Sequence, residues 1–135
     1  VRIASGIAVG LSLFVVLGAA RAASWTPVFE DAEHTVYVDL DRIKRDAHGY
    51  RLVWVMSDYT KHPLVDPGSG VTATVMVERD SIDCGMDRIK VLSAQLYDPQ
   101  GNNLGQPDLS AQTYRDIPPD STIEAIEHAV CGQEE

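Results

Sequence analysis

Ser57, Asp58 and His62 lie close together in the chain, and serine, acid and histidine are the residue types of an acyl-transfer triad. Ser57 lacks the Gly-x-Ser-x-Gly elbow that lifts a nucleophile clear of its strand, so the three read as a strand end and a turn. Asp80, Asp83 and Asp87 surround Cys84 and supply the paired carboxylates that glycoside hydrolysis uses. That chemistry needs an open cleft walled by aromatic side chains, and the neighbouring segments carry none. Asp39 and Asp41 fall on one side of an extended segment and offer oxygens to a hard cation. Calcium takes six or more oxygens, and the EF-hand loop pattern is absent, so a solvated strand end is the expectation. His34, His48, His62 and His128 include no pair at i, i+4 and no His-Glu-x-x-His. Each reads as a surface or turn residue. No Gly-x-Gly-x-x-Gly and no phosphate loop is present, so a nucleotide cofactor is not indicated. The residues thus lead us to expect no catalytic, cofactor or metal site and no enzyme. Trp25, Tyr37, Tyr50, Trp54 and Tyr59 could line a recognition surface, and read first as core or strand-pair residues.

Cys84 and Cys131 are the two cysteines of the chain. No Cys-x-x-Cys exists for redox work, and no His or second Cys stands at zinc spacing. Two thiols in an exported chain usually pair. The start of the sequence points to export: Arg2, an apolar run from Gly6 to Ala20, then Ala20-Arg21-Ala22, the small-x-small pattern of a signal-peptidase site. The run is shorter than the roughly 20 residues that span a bilayer, so cleavage after Ala22 and no stable membrane insertion are expected. No cysteine stands by that site, so a lipoprotein is not expected and the product is periplasmic or secreted. Residues 1–22 are then a leader and residues 23–135 one domain. The whole chain has a formal net charge of −9, and loss of Arg2 and Arg21 makes the remainder more negative. Such a domain repels phosphate backbones, so nucleic acid is a poor partner. Arg42-Ile43-Lys44-Arg45, the one basic cluster, reads as a solvated turn.

The elements that must position these residues are mostly strands. Trp25–Phe29 reads as an edge strand, because Pro27 cannot donate to a ladder. Thr35–Leu40 is rich in β-formers. Asp41–Gly49 is a connection with one helical turn. Tyr50–Tyr59 is the clearest strand, with Leu52, Trp54 and Met56 on one face and Val53 and Val55 on the other. Pro63, Pro67, Gly68 and Gly70 mark a loop over Lys61–Gly70. Val71–Asp83 reads as one long strand, and Arg88–Tyr97 as another with Leu92, Ala94 and Leu96 on one face. Asp98-Pro99-Gln100-Gly101 is a turn. Leu104–Tyr114 reads as a short strand or extended segment. Pro118-Pro119 blocks any earlier helix, and Ser121-Thr122-Ile123-Glu124 is a capping box opening one. Ile123, Ile126 and Val130 recur at helical spacing, and Gly132 follows as a stop.

The expected fold is α+β: an antiparallel sheet of five or six strands with a C-terminal helix packed on one face and tethered by the Cys84–Cys131 bond. That bond closes a loop of about 48 residues, worth roughly 4 kcal/mol on a chain-entropy argument. Several strands carry apolar residues on both faces, and one short helix cannot cover a sheet. The second face must curl, be covered by loops, or pair with another chain, so a homodimer is a reasonable expectation.

In order along the chain stand Trp25; Tyr37-Val38-Asp39; Gly49 before Arg51-Leu52-Val53-Trp54; Asp58-Tyr59; Ile82-Asp83-Cys84; Tyr97 before a glycine turn; Ile117-Pro118-Pro119-Asp120-Ser121; and Val130-Cys131. From Trp25 to Cys131 this order resembles the surface-adhesin protein E-like domain family of proteobacteria. The resemblance implies the same sheet-and-helix fold with its disulfide, and a binding module of the cell envelope that contacts another protein. Tyr114 stands where the family pattern leads us to expect Trp. No binding residue transfers position by position. The alternatives left open by the residues are a small envelope enzyme or enzyme inhibitor, and a ligand-free structural or stress protein.

Overall fold

The computed structural model describes residues 24–132. The leader expected over residues 1–22 lies outside the described residues. Ten strands and one helix follow in order: β1 (Trp25–Glu30), β2 (Thr35–Asp39), a single 3-10 turn (Leu40–Arg42), β3 (Lys44–Arg45), β4 (Arg51–Asp58), β5 (Leu64–Val65), β6 (Thr72–Ala73), β7 (Val75–Asp83), β8 (Arg88–Tyr97), β9 (Asn103–Gly105), β10 (Arg115–Asp116) and α1 (Thr122–Cys131). The main sheet is antiparallel with the order β1-β2-β4-β7-β8-β10; β3 adds to β4 and β9 adds to β8. β5 and β6 form a separate small hairpin. The expected antiparallel sheet of five or six strands with a helix on one face is therefore present, as a six-strand path enlarged by two short strands.

Alternation along the strands divides the side chains between two faces. One face carries Val36 and Val38 of β2, Val53 and Val55 of β4, Ile82 of β7 and Ile89 of β8, all buried. Ile126 and Val130 of α1 close this core, with Ile123 and Cys131 packed beside them. The helix lies over β1, β2 and β4. Ser121 caps it: its hydroxyl accepts from the Glu124 backbone N–H at 3.1 Å, and the Glu124 carboxylate accepts from the Asp120 N–H at 3.3 Å. Cys131 in the last turn is bonded to Cys84 just past β7, with Cα atoms 5.8 Å apart. Gly132 ends the helix at φ −80°, not left-handed, and a Cβ there would sit 2.8 Å from the His128 carbonyl oxygen.

Three expectations need correction. The long strand over Val71–Asp83 is broken at Thr74, whose N–H donates to Tyr97 O and whose carbonyl accepts from Tyr59 N–H. Two residues pair outward as β6, and only β7 runs through the sheet. The Lys61–Gly70 loop contains β5, because Leu64 and Val65 find β6 as a partner. Leu92 does not share a face with Ala94 and Leu96. A bulge opposite Arg79 and Asp80 makes it the extra residue of β8, so Ile89 and Ala94 face the core while Leu92 is 40% exposed. β1 is an edge strand, as Pro27 requires, with its own bulge at Val28 between Pro27 and Phe29.

Candidate functional site

The residues singled out for chemistry are kept apart by the fold. Ser57 and Asp58 are neighbours on β4 and so point to opposite faces; Ser57 is buried on the helix side. The Asp58 carboxylate accepts from the Thr60 N–H at 2.8 Å, and His62 is an exposed turn residue whose N–H donates to Tyr59 O. Asp80 points to the core face. Asp83 points to the other and accepts from Arg88 at 2.8 Å and from the backbone of Gly85 and Met86. The Arg88 guanidinium beside it holds the Asp83 carboxyl below the usual carboxylate range. Asp39 is buried with Arg42 at 3.3 Å, whereas Asp41 is exposed. His34 is stacked on Tyr59 and takes Asp31 at 3.0 Å, and His128 lies in the last turn of α1. Among the described residues no group of three or more acids, histidines or cysteines is arranged to hold a metal.

Asp80, singled out in the sequence, and Glu127, which was not, are both buried. Asp80 is 1% exposed, and its Oδ1 has no hydrogen-bond partner. Burial pushes its carboxyl well above the usual range, the charge of Glu78 adds to this, and Arg115 pulls back. Glu78, two residues away on the same face, is raised by burial and relieved by Arg115. On α1, Glu127 is raised by burial and then by its hydrogen bond with Asp87. Asp87 itself sits at φ 50° in the turn after Cys84. Glu127, Asp87, Glu124 and His128 line a depression of about 360 Å³ against the disulfide. It is a polar notch where the helix meets the β7–β8 turn.

A second cavity of about 450 Å³ is apolar. It lies between the β5–β6 hairpin and the β8–β9 end of the main sheet, walled by Leu64, Val65, Val71, Ala73, Leu96 and Leu104 with Asp66 and Ser69 at the rim. Val65 is 59% exposed and Val71 46%, so these side chains remain in water. Asp66 shapes the hairpin loop: its backbone accepts from Gly70, and its carboxylate accepts from Ser69 and Gly68. Sequence reasoning missed this groove because Pro63, Pro67 and Gly68 made the segment read as loop. The apolar residues on both flanks, Leu64-Val65 and Val71, were the available signal.

A sequence profile described as surface-adhesin protein E matches residues 25–132, nearly all of the described chain. The chain belongs to the surface-adhesin protein E family. Solved structures of protein E from Haemophilus influenzae share its fold. One is 17% identical with a TM-score of 0.60, covering 83% of this chain and 86% of that one. A second crystal form is 15% identical with a TM-score of 0.57, covering 83% and 97%. Protein E from non-typeable Haemophilus influenzae is 17% identical with a TM-score of 0.55, covering 85% and 79%. At such identities the likeness is one of fold. No curated protein matches the sequence. The family's match from Trp25 through Gly132 spans both cysteines, so the fastened helix lies within the shared domain.

Proposed function

We propose that the protein is an exported binding module of the cell envelope, of the adhesin kind its family is named for, and that it works by contacting another protein rather than by catalysis. The observation that carries this reading is the exposed apolar groove between the β5–β6 hairpin and β9. Water-exposed Leu and Val side chains around one concave site are the usual mark of a docking surface. One wall of the groove is the laddered β8–β9 end of the main sheet, which a partner would find already ordered. Export through the leader at residues 1–22 belongs to the same proposal. A second copy of the chain is a further reading, favoured by half-buried Tyr37, Met56, Val75 and Val77 on the face away from α1.

The test is affinity capture from periplasm and culture medium with the mature domain and, in parallel, with Val65→Asp and Leu104→Asp. A protein retained by the wild type and lost by both variants, with unchanged melting temperatures, is the expected result. Equal capture by all three overturns the groove as the contact. Sedimentation of the domain at tens of micromolar tests the dimer, which fails if the mass is that of one chain.

A further inference from the structure

The face of the sheet turned away from α1 gathers positive charge in a strongly acidic protein. Register places Lys44 of β3, Leu52 of β4, Ser81 of β7 and Lys90 of β8 in one row across the sheet. Trp54 and Arg79 are cross-strand partners in the next row, with the Arg79 guanidinium 5.9 Å from the indole centroid. Trp54 is 37% exposed. Strand alternation sends Glu78 and Asp80, the acids on either side of Arg79, through to the opposite face. Among the described residues Arg79 makes no ion pair. A cavity of about 400 Å³ forms here, lined by Lys44, Arg79, Asp41 and Arg42, the last already paired with Asp39, together with Ile43, Leu52 and Trp54. At the other end of the row Lys90 lies 5.8 Å from the ring centroid of Tyr114, whose hydroxyl is bonded to Ser81. Three strand spacings separate Lys44 from Lys90, about 14 Å.

We propose that this row is a binding site for an anionic saccharide, a sugar chain bearing sulfate or carboxylate groups. The cations are spaced along a line, as charges along a polymer are. An exposed indole beside them offers an apolar face to the C–H side of a sugar ring. An acidic peptide fits less well: the backbone groups in the middle of a sheet are already consumed by the ladder, so a peptide laid across this face would lose water from its own amides without replacement. The negative charge of the rest of the domain does not forbid such a ligand. At physiological salt the screening length is about 8 Å, so acids beyond it act weakly, while the lining cations act at contact. The site is independent of the apolar groove, and either reading can fail alone.

The experiment is calorimetry with the mature domain at physiological ionic strength, with tryptophan fluorescence read in parallel. The probes are a heparin tetrasaccharide, a hyaluronan tetrasaccharide, neutral maltotetraose and hexaglutamate. We expect at least one of the two anionic sugars to bind, maltotetraose not to, and added salt to weaken the interaction. Binding of the heparin fragment alone assigns the site to sulfate, and binding of the hyaluronan fragment assigns it to carboxylate. Arg79→Gln should lower affinity tenfold or more, and Trp54→Phe should abolish the fluorescence change. Lys44→Gln, on an exposed two-residue strand, should weaken binding in the same direction if Arg79→Gln perturbs folding. The proposal is overturned if neither anionic sugar binds, if Arg79→Gln and Lys44→Gln both bind as the wild type does, or if hexaglutamate binds as well as the sugars.

Discussion

Asp80 shows what a single side chain contributes against the fold. It is buried, one oxygen lacks a partner, and its carboxyl is held well above the usual range by burial and by Glu78. A raised carboxyl binds its proton more tightly in the folded than in the unfolded chain. Its folded-state advantage is therefore complete in acid and declines as pH climbs from the unfolded value through the raised one. Asp80→Asn should raise stability at pH 8, on the order of 1 kcal/mol, and the gain should shrink toward pH 4. Urea unfolding of both proteins across that range measures it; a gain that grows toward acid contradicts this account. Asp83 has the opposite sign. Arg88 and two backbone N–H groups lower its carboxyl, so its contribution is present above the usual carboxylate range and fades as pH falls through the lowered value. Neither behaviour was legible in the sequence, where the two residues appear as similar acids beside a cysteine. Strand parity sends one into the core and leaves the other at a turn.

At the scale of elements, the helix was the most legible part because its signals are local. Ser121, Glu124 and the spacing of Ile123, Ile126 and Val130 specify it without reference to the sheet. Ser121→Ala removes the cap and should cost about 1 kcal/mol, read as a lower urea midpoint with unchanged slope. The disulfide acts on the same element at longer range. Cys84→Ser or Cys131→Ser should lower stability by roughly 4 kcal/mol at most, and the same loss should follow reductant in the wild type. Equal melting temperatures with and without reductant would refute the clasp's role. The strands were legible in place but not always in partner. The bulge that turns Leu92 outward depends on how β7 and β8 align around Arg79, and a period-2 pattern read from one strand cannot show it. The break at Thr74 likewise comes from bonds to Tyr97 and Tyr59, which are distant in sequence.

For the molecule as a whole, the two faces of the sheet have different fates. One is sealed by a fastened helix over a core of Val and Ile. The other presents Trp54, Arg79 and half-buried apolar side chains, with Tyr114 and Tyr50 meeting edge-on near Ser81. The sequence showed that a second surface existed, through apolar residues on both sides of Tyr50–Tyr59. It did not show that surface's charge, because Lys44, Arg79 and Lys90 are scattered along the chain and only register brings them into line. Removing Val65 and Leu104 from the groove and removing Arg79 from the basic row should therefore have separable effects, one on protein capture and one on sugar affinity.

The kinks at Val28 and Leu92, with the proline at position 27, have a consequence for life at high local density. Both flanks of the ladder are irregular, so neighbouring molecules cannot zip onto one another and propagate as a fibre. Copies crowded together at high concentration would stay discrete.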